Sequence, residues 1–219
     1  SIPVEWKKID VLAKKDTRNI PDFIKNIVEQ INRMKGDDLP VSAFLGREDG
    51  TFPAGTAAYE KRGIAVNVPE WISDNCIQCN QCAFVCPHAV IRPFLLNEDE
   101  MKGLPDGTAT LKAIPKTFDG LQFRIQISPL DCTGCGNCAD VCPAKTKALV
   151  MKPLDSQMEQ DALWDYHAKN VTYKDTLAPK EQNVKNSQFA QPLFEFSGAC
   201  AGCGETPYVK LITQLFGDR

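Results

Sequence analysis

The sequence predicts an α+β fold built from two copies of one strand–loop–helix–strand unit related by a pseudo-two-fold. Three observations predict it. Residues 76–87 read CIQCNQCAFVCP and residues 132–143 read CTGCGNCADVCP, one cysteine phrase repeated with each cysteine 56 residues on. An alternating apolar run precedes each copy: Ile64, Val66 and Val68 before the first, Leu121, Phe123, Ile125 and Ile127 before the second. The second run, interleaved with Gln122, Arg124 and Gln126, reads as a half-buried strand. A short apolar run follows each copy. Residues 89–91 read as the partner of the first strand, and residues 148–151 close the second unit.

The spacing carries the chemistry. A C-x-x-C-x-x-C loop wraps three thiolates around one cube of iron and sulfide, and its backbone amides turn inward toward the sulfurs. The fourth cysteine lies too far along to complete the same cube. In two-cluster bacterial ferredoxins, whose pattern this is, it opens a helix that crosses to the other cluster. The expected ligands of a [4Fe–4S] cluster A are therefore Cys76, Cys79, Cys82 and Cys142. Those of cluster B are Cys132, Cys135, Cys138 and Cys86. Pro87 and Pro143 stop further helix just past the fourth ligand. Zinc, which two CxxC pairs can hold, fits duplicated threes-plus-one poorly. A disulfide framework belongs to small secreted domains, and nothing here looks secreted.

With 219 residues, 43% of them hydrophobic, the chain has material for one or two packed domains. A net charge of −3 gives no electrostatic case for nucleic acid or an anionic membrane surface. No apolar run reaches the roughly 20 residues of a membrane span, and SIPVEWKKID has no signal-peptide character. Ten cysteines used as metal ligands imply a reducing, cytoplasmic setting. A first residue that is Ser reads as processing or as a piece of something longer.

Outside the repeat, residues 1–15 mix apolar side chains with lysines and read as the end of a preceding domain. Residues 20–35 give the best helix. Phe23, Ile24, Ile27, Val28, Ile31 and Met34 form one stripe, and Gly36 stands at the expected stop. Residues 36–58, with four Gly and two Pro, read as an ordered, irregular connector, so that 16–58 forms a small linking domain. His88, beside a ligand, reads as exposed or as a hydrogen-bond partner. Residues 93–117 form an insertion that covers a cluster or docks on a neighbour. The polar stretch 153–192 reads as an arm over a larger surface, with His167 exposed. The two-cluster domain itself spans 59–152.

A third cysteine pair follows in SGACAGCGETPY. Thr206 reads as the N-cap and Pro207 as the first residue of a helix through Phe216, with Val209, Leu211, Ile212 and Leu215 as its apolar face. Alone, Cys200 and Cys203 fit a redox dithiol, half a zinc site or half a cluster site. The last two need ligands from outside these residues, which makes the chain read as incomplete.

With these residues in hand, the chain resembles the pyruvate:ferredoxin (flavodoxin) oxidoreductases along essentially its whole length. The resemblance rests on the duplicated phrase, on DLPVSAFLGREDGTFPAGTAAYEKRGIAVNVPEW before it and on QPLFEFSGACAGCGETPY after it. It implies a segment running from the end of one domain through a linking domain and the ferredoxin-like domain. Residues 153–219 would then be an arm and the start of a thiamine-binding α/β domain. It implies that Cys200 and Cys203 are two ligands of a third [4Fe–4S] cluster and that Glu205 contacts thiamine diphosphate, held with Mg2+. The implied reaction is oxidative decarboxylation of pyruvate with CoA, thiamine acting as electron sink. Electrons leave one at a time through three clusters to ferredoxin or flavodoxin, in an enzyme that is a homodimer. The rival readings are a stand-alone two-cluster electron carrier and another 2-oxoacid oxidoreductase with the same module.

Overall fold

The computed structural model describes residues 20–53 and 55–217. The predicted end of a preceding domain, 1–15, lies outside the described residues. Contacts divide the chain into two compact units, one ending at Glu60 and the other beginning at Lys61.

In the first unit a π-type turn, Ile24–Val28, runs into helix α1 (Glu29–Asn32). Its Glu29 N–H reaches back five residues to the Ile24 carbonyl. That wider turn rotates the expected stripe out of register. Ile24, Ile27 and Val28 are buried, but Ile31 is 44% and Met34 is 92% exposed. The stop also comes early. Lys35 N–H bonds the Gln30 carbonyl and Met34 N–H the Ile31 carbonyl, the paired closure that needs a left-handed residue. Met34 (φ 60°) takes that conformation, and Gly36 opens a separate 3-10 turn, Gly36–Asp38. The rest of the unit is irregular, as expected, with further 3-10 turns at Val41–Phe44 and Thr56–Tyr59.

The second unit is built on strands β1 (Asn67–Trp71), β2 (Ile91–Leu96), β3 (Leu111–Lys112), β4 (Gln122–Ile127) and β5 (Leu149–Pro153). Helices α2 (Gln81–Val85), α3 (Glu98–Lys102), α4 (Asn137–Asp140), α5 (Glu159–Asn170), α6 (Val184–Ser187) and α7 (Thr206–Phe216) interleave with them. The residue 89–91 run is not the partner of the first strand. β1 pairs antiparallel with β5, Asn67 opposite Pro153, and β2 pairs with β4, Ile91 opposite Ile127. Each half of the repeat thus lends one strand to each sheet. Within a half, the cysteine loop and its helix hold the two strands too far apart to close as a hairpin.

β1 starts later than the alternation suggested. Ala65 and Val68 point inward, while Ile64 and Val66 are 67% and 82% exposed. The insertion also starts later, after Leu96. Pro93 lies inside β2, which its edge position in the β2–β4–β3 sheet permits. Asn97 and Glu100 form a capping box on α3, and Glu100 then receives Lys174 and Thr172 from the far side of α5.

β4 is covered on both faces. Phe123, Ile125 and Ile127 enter the main core, and on the other face Arg124 and Gln126 are also buried. α5 supplies the cover: Gln126 Nε2 donates to the Gln160 carbonyl, and Arg124 Nε donates to Gln126 Oε1. The stretch after 153 therefore begins by packing on the sheet.

His167 is fully buried, which corrects its reading as a surface residue. Its ring lies 5.1 Å from that of Phe94, and Nδ1 lies 2.6 Å from the Leu163 carbonyl. Burial pushes its pKa down to about 4. The folded form thus takes up a proton less readily than the unfolded form, whose value is near 6.5. Stability from this site is present above pH 6.5 and is lost as pH falls toward 4, by at most about 3 kcal/mol. Amide exchange, corrected for intrinsic rates, should show α5 loosening across that window. His167→Gln should flatten the dependence.

Candidate metal centre

The two cysteine loops share a backbone. Gln78 (φ 56°) and Asn80 (φ 61°) are left-handed in the first, and Gly134 (φ 71°) and Gly136 (φ 82°) are left-handed at the equivalent places in the second. These turns point amides at sulfur: Gln78 N–H toward Cys76 Sγ and Gly134 N–H toward Cys132 Sγ, both at 3.4 Å. Ala148 N–H approaches Cys142 Sγ at the same distance. In each copy a short helix carries the third cysteine, and the fourth follows it. Cys86 is the C-cap of α2, so the fourth cysteine closes a helix and does not open one. Helix α2 contacts α4 across the pseudo-two-fold.

This crossing gathers the thiols into two sets. One cavity is lined by Cys76, Cys79, Cys82 and Cys142, with Trp71, Ile125 and Leu149 as apolar wall. A second is lined by Cys86, Cys132, Cys135 and Cys138, with Pro87, Val90 and Ile91. Among the described residues no trio of Cys, His, Asp or Glu closes around a single ion. The thiols surround a space instead, as a multi-atom cube needs.

Burial, and then the neighbouring thiols, push Cys82 and Cys138 well up and Cys132 up to about 12. Cys76 is raised by burial too, against the pull of the Trp71 side chain and the Gln78 amide. Sulfurs so placed give up their protons only to a cation, so metal loading and the folding of these loops are one equilibrium. The apolar walls, inward amides and four-thiol sets together fit iron–sulfur clusters.

Several functional side chains escaped the sequence reading. Gln78 clamps the insertion over the first loop, donating to the Lys112 carbonyl at 2.8 Å and accepting from Ile114 N–H at 3.0 Å. Asn80 donates to the Lys185 carbonyl, and Lys185 Nζ reaches the Ile114 carbonyl. Aligning the two copies would have exposed these positions, since both stand where the second copy has Gly. His88 is buried, and among the described residues its Nε2 has no hydrogen-bond partner.

α7 departs furthest from expectation. It starts at Thr206 with Glu205 at the N-cap, and it turns its polar face inward. Thr206, Lys210 and Gln214 are buried, while Tyr208, Val209 and Ile212 are 67%, 36% and 58% exposed. Polar residues face in because they meet backbone carbonyls: Gln214 donates to Ala190, and Lys210 to Ala83 and Cys86. The Thr206 hydroxyl, with the Thr206 and Glu205 amides, holds the Cys203 thiol below its usual range. Cys200 and Glu205 are exposed. The loop between the pair approaches the second cysteine loop, where a Cβ on Gly202 would lie 3.4 Å from Cys135 Cβ.

Comparison with known proteins agrees with this geometry. Residues 75–146 match the family described as a 4Fe-4S dicluster domain, and residues 10–65 match a domain of unknown function. The chain carries a 4Fe-4S dicluster domain. It is 56% identical over 221 residues to a pyruvate-flavodoxin oxidoreductase of Enterobacter agglomerans, covering 100% of this chain and 18% of that protein. It is 56% identical over 218 residues to a pyruvate:ferredoxin oxidoreductase of Moorella thermoacetica, covering 99% and 18%. A pyruvate dehydrogenase [NADP(+)] of Cryptosporidium parvum is 48% identical over 219 residues, covering 98% and 11%. The chain therefore matches a segment of these oxidoreductases, spanning under a fifth of the length of the first two. No helix among the described residues is long and apolar enough to cross a membrane.

Proposed function

We propose that this chain is the electron-transfer segment of a pyruvate:ferredoxin oxidoreductase, in the cytoplasm and as part of a homodimer. One observation carries the reading: two cavities, each lined by three thiols of one cysteine motif and one of the other. Cys76, Cys79, Cys82 and Cys142 would hold cluster A, and Cys132, Cys135, Cys138 and Cys86 cluster B. Cys200 and Cys203 would give two ligands to a third cluster whose other ligands lie elsewhere in the protein. When bound, the clusters supply one-electron storage. The chain's part is to hold them close, dry and hydrogen-bonded.

Placement supports an order of transfer. The loop between the third pair approaches Cys135 at Gly202, which supports B as the cluster that would receive electrons first. Cys86, Cys132 and Cys138 of the B set are buried residues, whereas Cys76, Cys79 and Cys142 of the A set are part-exposed. This supports A as the side that would face an external ferredoxin or flavodoxin. Thiamine diphosphate with Mg2+, touched by Glu205, would act as electron sink in decarboxylating pyruvate, and CoA would take the acetyl group.

The test is iron and sulfide analysis of the full-length protein under anoxic conditions, followed by addition of pyruvate and CoA. The expected result is about twelve irons per chain and reduction of the cluster signals. About eight irons and no response to pyruvate would make it a stand-alone carrier.

A further inference from the structure

Each short helix in the repeat ends on a lysine ammonium, but the two lysines come from different places. Lys147 Nζ donates to the carbonyls of Asp140 and Cys142, just past α4, and is exposed to water. The equivalent position in the first copy is Ile91, which carries no charge. There the same task falls to Lys210, more than 120 residues away in sequence. It reaches in from α7 and donates to the carbonyls of Ala83 and Cys86, the latter at 2.9 Å. Its side chain is 1% exposed. Among the described residues no carboxylate pairs with it.

We propose that Lys210 is a positioning residue that sets the reduction potential of cluster B, and to a smaller degree that of cluster A, through a buried positive charge. Cys86 ends α2 and belongs to the B set. Cys82, inside the same helix, belongs to the A set. One cation at the end of α2 therefore faces a ligand of each. Reduction adds one negative charge to a cluster, so a nearby cation favours the reduced form and raises the potential. Burial removes the screening that makes exposed ion pairs weak. Lys147 likewise bonds the carbonyl of a fourth cysteine, but from water, so its charge acts far less on cluster A. The repeat is symmetric in its sulfurs and asymmetric in its cations. This inference rests on the cavities holding clusters.

The experiment is a redox titration of the full-length protein, followed by electron paramagnetic resonance, with iron content measured on each sample. Lys210→Gln keeps a donor for the carbonyls and removes the charge. It should lower the potential of cluster B by on the order of tenfold in the reduction equilibrium, about 59 mV for one electron. Cluster A should shift in the same direction by less. Lys210→Arg should restore the native values. Lys147→Gln should leave both near native, and Gln214→Ala, which loosens α7 without a charge change, should too. Full iron content with unshifted potentials in Lys210→Gln would overturn the proposal. So would loss of both clusters in Lys210→Gln with full loading in Lys210→Arg, which would leave Lys210 a mere staple between α7 and α2. Low iron in the native protein would instead count against the cluster reading itself.

Discussion

Cys142→Ala is expected to abolish cluster A and spare cluster B, although Cys142 belongs to the second cysteine motif. Its sulfur lines the cavity with Cys76, Cys79 and Cys82, and the Ala148 amide points at it from 3.4 Å. Cys86→Ala should do the reverse, removing cluster B from within the first motif. Each variant should lose about four irons per chain and the signal of one of the two ferredoxin-type clusters in the reduced protein. The pair of variants is more informative than either alone. If each motif served its own cluster, Cys142→Ala would extinguish B and Cys86→Ala would extinguish A. The outcome is read by electron paramagnetic resonance with iron analysis. The burial-raised thiols left behind would stay protonated, so partial refilling with other metals should be weak.

Gly134→Ala should be nearly as damaging, with no ligand touched. Gly134 has φ 71°, and an added Cβ would sit 2.9 Å from the Asn67 carbonyl oxygen and 3.1 Å from Ala65 Cβ. The first obstacle is backbone at the start of β1, which no rotamer change relieves. A left-handed alanine costs about 1 kcal/mol before any clash, and forced overpacking adds roughly 1–3 kcal/mol. Gly136→Ala is the control. At φ 82° it bears the same conformational cost, but its Cβ would meet nothing within 4 Å. Gly134→Ala should therefore lose cluster B loading and lower the unfolding midpoint, and Gly136→Ala should keep the cluster. Equal behaviour of the two variants would mean that contact with β1 does not shape this loop.

The thiol sets were legible because metal ligation imposes fixed spacing, and a duplicated spacing states its own pseudo-symmetry. Strand positions were legible from alternation, but partners were not. Period two says which residues share a face and nothing about which strand lies alongside, so residues 89–91 were given to β1 when they belong with β4. Periodicity misled outright in α7. An apolar stripe is taken to face inward because burial of apolar surface is the usual driving force. Here Lys210 and Gln214 bond carbonyls left open by α2 and by Ala190, and Val209 and Ile212 of the stripe are turned out while Leu211 and Leu215 stay half-buried. No local pattern encodes a bond between residues 86 and 210. His167 was misplaced for a related reason: the polar composition around α5 hides the Gln and Arg side chains of β4 that it covers.

The exchange of strands between the halves has a consequence for how such a protein can be cut. Half of the repeat by itself would own β1 and β2 but neither of their partners, and three sulfurs at one centre and one at the other where four are wanted at each. Two separate half-chains would meet both needs at once by association, each handing the other a strand and a cysteine. The domain therefore has the logic of a homodimer whose subunits have been joined end to end.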